Sequence, residues 1–173
     1  MRTKFQRLNT KRGFTLIELL VYISISSIIL GGVVSFTTTF FKWNIKNRIV
    51  SEVEDQGVFV MREVIHTIQE SQGVDSPNPS SDDSQLFLKV ADAGKDPTRF
   101  DVSSGVLRIK EGNSSSVELT NSHVTISDFV VRNLSEAETP GIVSVEFVIS
   151  YVNSSDKDEL NYSKKFQNSA SLK

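Results

Sequence analysis

A single carboxylate, Glu18, stands four positions beyond Phe14 in the string Gly13-Phe14-Thr15-Leu16-Ile17-Glu18-Leu19-Leu20-Val21, and the next charged residue along the chain is Lys42. An acid in so apolar a segment costs roughly 2.5–3.5 kcal/mol at the middle of a bilayer, and less toward an interface. An ion carried into a dry apolar environment is tolerated only when it is paired. The chemistry implied is therefore charge neutralisation by a partner rather than catalysis. Ahead of this segment, Met1–Gly13 holds Arg2, Lys4, Arg7, Lys11 and Arg12 and no acid.

Few other residues carry chemistry. The two histidines, His66 and His123, sit in no metal-spacing motif and beside no recognisable nucleophile, so each reads as an ordinary surface or boundary residue. Asp156, Asp158 and Glu159 cluster the hard oxygens that Ca²⁺ prefers, but a run of this kind is more simply a solvated turn. Asn113, Asn133, Asn153 and Asn161 each open an Asn-X-Ser sequence, a pattern that a serine-rich chain produces by chance. The expectation is no enzyme, no catalytic residue, no metal and no cofactor. An acidic balance without a basic aromatic patch gives no reason to expect nucleic acid.

The run Gly13-Phe14-Thr15-Leu16-Ile17-Glu18, set between a basic leader and an apolar helix, closely resembles the prepilin signature of type IV pilins and type II secretion pseudopilins. The resemblance implies that a prepilin peptidase cuts between Gly13 and Phe14 and that the new amine on Phe14 is methylated. It also implies that Glu18, fifth from the cut, neutralises the amine of a neighbouring subunit inside a filament. Two other N-terminal signals fit less well. A secretory peptidase needs small residues beyond the apolar region, where this chain has Thr37-Thr38-Thr39-Phe40-Phe41-Lys42-Trp43; a lipoprotein signal needs a cysteine, and there is none.

The elements that must position these residues follow from length and period. With 173 residues, 38% hydrophobic and 23% charged, the chain has room for one small globular domain beside a membrane span. Loss of the five leader cations takes the formal charge from −2 to about −7. The leader holds the N-terminus in the cytoplasm by the positive-inside rule and sends the rest outward. Without cysteine, the exported domain rests on its core and not on disulfides. From Leu19 to Phe41 the chain is uncharged for about 23 residues, longer as a helix than the roughly 30 Å bilayer core. Ser24, Ser26, Ser27 and Ser35 in this stretch can bond to their own backbone or permit close helix packing. The Gly31-Gly32 pair either loosens the helix near its middle, where many pilins use a proline further along, or leaves it continuous.

After Lys42, apolar Ile45, Ile49, Val53, Val60, Val64 and Ile68 recur mostly every three or four residues, with Gly57 filling one turn. The charges lie largely off that stripe. The pattern predicts one helix from Phe14 to about Ser71, apolar all round and then one-sided. Gly73, Pro77 and Pro79 end it in a loop through about Ser84. Beyond, the segments 85–90, 99–102, 106–110, 117–120, 124–133, 142–153 and 161–166 read as strands, the last before a short polar tail. Val143, Val145, Phe147 and Ile149 alternate on one face. Turns at Glu111-Gly112-Asn113-Ser114 and Thr139-Pro140-Gly141 suit hairpins. The predicted class is α+β: a long N-terminal helix, transmembrane and then amphipathic, packed on a mostly antiparallel sheet. Its organisation is a leader 1–13, an assembly helix 14–41 and a globular part 42–173.

Val21-Tyr22-Ile23-Ser24-Ile25 and Met61-Arg62-Glu63-Val64-Ile65 are similar to stretches of J-type minor pseudopilins and W-type minor pilins. Retention of Glu18 sets the chain apart from the K-type tip subunit. The resemblance implies a minor pilin or pseudopilin that initiates or caps a filament. Its partners would be other pilin or pseudopilin subunits, the prepilin peptidase, an inner-membrane assembly platform and membrane lipid. A major pilin, or a signal-anchored extracellular binding protein that never polymerises, is the alternative.

Overall fold

A computed structural model describes residues 13–136, 141–153 and 160–173. Helix α1 runs Leu16–Glu70, and nine strands follow: β1 Gly73–Ser76, β2 Asp82–Asp83, β3 Gln85–Lys89, β4 Thr98–Ser103, β5 Val106–Glu111, β6 Val117–Glu118, β7 Val124–Asn133, β8 Ile142–Tyr151 and β9 Ser163–Ser171. The chain divides into two units, Met1–Asn44 and Ile45–Lys173, the second holding the whole of both sheets.

The expected α+β architecture is present, with two sheets where the strand pattern had suggested one. One sheet is ordered β1-β3-β4-β5-β6 and the other β2-β7-β8-β9, and every pairing is antiparallel. Between Ile45 and Glu70, α1 turns Val53, Val60, Met61, Val64 and Ile68 into one core. It meets there Leu86, Leu88, Phe100 and Leu107 of the first sheet and Val131, Val145, Phe147 and Ile149 of the second. Burying each such aliphatic side chain contributes on the order of 1.5–3 kcal/mol, which is how a domain without disulfides holds its shape.

Local chemistry sets the strand geometry. Ser104 and Gly105, between β4 and β5, both take positive φ, 52° and 77°, the two-residue turn whose twist matches the flanking strands. Along β7 the buried positions are Val124 and Ile126, then Phe129, Val131 and Asn133. The phase slips by one residue at the bulge between Ser127 and Val130, where Asp128 takes φ 51°. A bulge adds one residue to one strand, and here it returns the apolar side chains to the core.

Two boundaries differ from the sequence reading, and one alternative that it left open is settled. The loop expected through Ser84 contains β1 and β2. The first has one apolar residue, Val74, and the second is Asp-Asp, so neither carries a pattern; each exists because it pairs with β3 or β7. The last strand continues through Ser171, although residues 167–171 are polar except for Ala170, because the long β8 supplies backbone partners as far as Ile142 opposite Ser171. Helix α1 runs without a break through Gly31-Gly32.

Polar contacts fix the helix against the second sheet. Lys164 Nζ lies 2.7 Å from Glu54 Oε1, and Lys165 Nζ lies 2.7 Å from Glu146 Oε1. The Lys164 ammonium, by hydrogen bonding and charge, holds the Glu54 carboxyl below the ordinary carboxylate range, and that contact raises Lys164 in turn. Lys165 likewise lowers Glu146, against an opposing effect of burial. Asn121 Nδ2 donates to Glu52 Oε1 at 2.6 Å. Gly57 lets the helix pack closely on β9. A Cβ there would collide with the ring of Phe166, which stacks on Phe147 with centroids 5.6 Å apart. Gly57→Leu is expected to lower stability by about 1–3 kcal/mol through overpacking, and Phe166→Ala in the same chain should recover part of the loss. Urea melts of the four variants of that double-mutant cycle measure the coupling, and strictly additive effects would show that Phe166 is not the obstacle.

Candidate functional site

The candidate site is the first turn of α1 and the residues just ahead of it. Gly13, Phe14 and Thr15 precede the helix, which starts at Leu16, and all three are exposed. The bond between Gly13 and Phe14 therefore lies outside helical hydrogen bonding, where a peptidase can engage it. A Cβ built on Gly13 meets nothing within 4 Å. Nothing among the described residues thus demands glycine at this position, and a demand for it comes from whatever binds the segment.

Thr15 has a role that the sequence reading missed. Its hydroxyl accepts the backbone N–H of Glu18 at 3.4 Å, and its carbonyl accepts that of Leu19 at 3.2 Å. Thr15 is therefore the N-cap, satisfying a donor that the first helical turn leaves open. The signal was present in the sequence as Thr15-Leu16-Ile17-Glu18, the Thr-x-x-Glu spacing of a capping box ahead of an apolar run. Glu18 sits in that first turn, where the helix dipole favours negative charge. Its carboxylate is exposed and has no ion-pair partner among the described residues. The Phe14 ring lies edge-on to Tyr22, with centroids 6.1 Å apart. Gly13, Phe14 and Glu18 are thus brought within one short segment.

Residues 8–34 match the family model of the prokaryotic N-terminal methylation motif. Comparisons with curated proteins and with solved structures gave no match. The matched motif supports a pilin or pseudopilin processed by prepilin peptidase, a family that is structural and generally non-enzymatic.

The segment that follows suits an apolar surrounding. α1 is long and apolar enough to cross a membrane by length and composition, and its most apolar window has none of its residues buried. Polar side chains there are satisfied internally: Ser24 Oγ donates to Leu20 O, Ser27 Oγ to Ile23 O and Thr37 Oγ1 to Val33 O, each at 2.8 Å. In lipid, where no water is available, such bonds remove most of the cost of a hydroxyl. A single anchoring pass fits both this helix and the matched motif.

The remaining sequence candidates lie apart. His66 is exposed and 3.5 Å from Glu70, and His123 is exposed on the globular part. Among the described residues no three His, Cys, Asp or Glu side chains are grouped to hold a metal. Asp156, Asp158, Glu159 and Thr139-Pro140 lie outside the described residues. Asn133 is not a surface acceptor: it is 2% exposed and its amide donates to Pro77 O at 2.8 Å.

Thr15→Ala is expected to cost the helix start about 1 kcal/mol. Amide exchange at Ile17 and Glu18 in detergent micelles should quicken about fivefold while exchange beyond Ile23 stays unchanged. Equal protection in both chains would remove Thr15 from the cap.

Proposed function

We propose that the chain is a minor pilin or pseudopilin, a non-enzymatic structural subunit of a type IV pilus or a type II secretion-like filament. A prepilin peptidase cuts between Gly13 and Phe14, and the Phe14 amine is methylated. The leader stays cytoplasmic, 14–41 anchors the subunit, and the globular part 42–173 lies outside the cytoplasmic membrane until an assembly platform draws the subunit into the filament. The observation that carries this reading is the coincidence, within the matched motif, of an accessible Gly13–Phe14 bond with a carboxylate at Glu18 that has no ion-pair partner among the described residues. Cleavage creates the missing partner: a cation on Phe14, four residues from the anion. Within one subunit the cap places Glu18 in the helical turn, and between subunits each chain supplies one sign. The similarity of the Val21–Ile25 and Met61–Ile65 stretches to J-type and W-type subunits favours a minor place in the filament.

In cells holding a prepilin peptidase, the mature chain should begin at Phe14 and carry one extra methyl group. Intact-mass analysis of the membrane fraction reads both, and a chain that keeps Met1–Gly13 in those cells would sink the proposal.

Glu18→Leu separates a filament subunit from a simple anchor. The substitution makes the segment more apolar, so insertion and cleavage should persist. Incorporation should fall, because the Phe14 amine of the neighbour is left unpaired in an apolar core, a loss of about 3–5 kcal/mol when one partner of a buried pair is removed. Recovery of sheared filaments and site-specific crosslinking to partner subunits measure the effect. Wild-type yields would point to an anchored binding protein.

A further inference from the structure

Lys89, Arg99, Arg108 and Lys110 lie apart in the sequence, but strand register collects them on one surface of the five-stranded sheet. Phe100 stands opposite Leu86 and Ile109, and these three face the core. Alternate residues therefore point the other way. On that outer face Arg99 stands between Phe87 and Lys110, and Arg108 between Asp101 and Glu118, with Lys89 two residues beyond Phe87. The face carries four cations and two acids, whereas the Ile45–Lys173 unit as a whole has 13 Lys and Arg against 20 Asp and Glu. A basic face on so acidic a unit sets up a local field that attracts anions.

Asp101 is the centre of this face. It is 6% exposed, and its Oδ2 accepts from Arg99 Nη2 at 3.1 Å and from Arg108 Nη2. One carboxylate neutralises one of the two guanidiniums, so a surplus positive charge is held in a half-buried place. The Arg99 guanidinium also lies over the Phe87 ring, 5.3 Å from its centroid. These contacts decide which part of the pair can meet a ligand. A guanidinium grips a carboxylate or phosphate with two parallel N–H groups along one edge. Here Nη2 of both arginines is taken by Asp101, and Nε of both is buried without a hydrogen-bond partner. That edge is closed. What stays open is the outer plane of Arg99, backed by Phe87, together with Lys89 and Lys110, which make no ion pair among the described residues.

We infer that this face binds single-stranded nucleic acid, with a base stacked on the outer plane of Arg99 and the neighbouring phosphates met by Lys89 and Lys110. Unpaired bases stack on aromatic rings and on guanidinium planes, while cations track the backbone. An acidic polypeptide brings negative charge but no planar π-face along its chain, and its carboxylates are best held by the arginine edge that Asp101 has closed. A duplex hides its base faces in its own stack. Because the base is met by its face and not by its hydrogen-bonding edge, binding is tolerant of sequence. The whole surface lies within one sheet, so the inference goes beyond the filament reading and stands without it.

The full chain in zwitterionic detergent micelles, titrated against fluorescein-labelled oligothymidylate and followed by anisotropy, tests the inference. With Lys89, Lys110 and the surplus charge of the arginine pair engaged, the logarithm of the binding constant should fall with that of salt at a slope of about −2. Lys89→Ala combined with Lys110→Ala, both at the surface, should bring the slope toward about −0.7. Arg99→Lys keeps the charge and removes the plane, so affinity should fall about fivefold or more with the slope unchanged. Because that substitution disturbs Asp101, competition on the unaltered chain gives the same answer independently: unlabelled oligothymidylate should displace the probe about tenfold more readily than polyphosphate or polyglutamate of equal charge. Equal displacement by polyglutamate would overturn the inference in favour of an acidic protein partner, and equal displacement by polyphosphate would reduce the face to bare charge. Absence of binding at low salt, or binding that the double lysine variant leaves unchanged, would also overturn it.

Discussion

One carboxylate, without an ion-pair partner among the described residues, organises the start of the helix. Glu18 is the only charge between the end of the basic stretch and Lys42, and it is placed where the helix begins, with its backbone N–H already committed to Thr15. An acid deeper in the span would face the full mid-bilayer cost, whereas one in the first turn stays near the interface and gains from the helix dipole. The same placement leaves the carboxylate exposed. The hydroxyls of Ser24, Ser27 and Thr37 further along are satisfied by the preceding turn of the helix, so most of what the segment asks of its surroundings is apolar contact, apart from a partner for its one acid. On the filament reading, processing supplies that partner at Phe14, which makes cleavage a precondition of assembly rather than mere removal of a leader.

The second half of α1 answers a different constraint. A domain of this size with no disulfide must draw enough apolar surface out of water by packing alone. It does so by giving one helical stripe to two sheets at once. Gly57 shows how closely this is adjusted: the missing side chain is replaced by the ring of Phe166, which in turn stacks on Phe147 of the neighbouring strand. The ion pairs of Lys164 with Glu54 and of Lys165 with Glu146 flank that ring contact at the helix and on the sheet. Both pairs lie at the surface, where solvent screens them. The Lys164–Glu54 pair bears on orientation, since it joins the helix to β9, whereas Lys165–Glu146 lies within the sheet; the core provides the stability.

What the sequence made legible was whatever rests on period or on charge. The helical stripe read from Ile45 to Ile68 and the alternation of Val143, Val145, Phe147 and Ile149 are statements about which faces avoid water, and the structure buries those positions except Ile45, which is exposed because it precedes the part of the helix that the sheets cover. The helix end, predicted near Ser71, falls at Glu70. The segment Gly13 to Glu18 was legible because its chemistry is local in sequence. The rest depends on partners distant along the chain. Asp82-Asp83 is a strand only because β7 has an edge to pair with, and Gln167–Ser171 extends β9 only because β8 is ten residues long. The split into two sheets is of the same kind, since strand order follows from which edges meet. The phase slip at Asp128 was readable in principle, as two apolar alternations out of step, but a period of two was assumed to run through it.

A helix that must be apolar all round in one half and one-sided in the other confines recognition to different chemistry along its length. On the filament reading, the first half is apolar on every face, so side-chain identity there would discriminate weakly between neighbours. In the second half one stripe is spent on the core, and only the opposite side remains to distinguish one neighbour from another. Exposed apolar residues there, such as Val58 and Phe59, cannot be explained by the fold of the domain, because the core is complete without them. Specificity between subunits is a difference of affinities, and it requires features that are costly to leave unmatched. Exposed apolar side chains that the core does not use are such features.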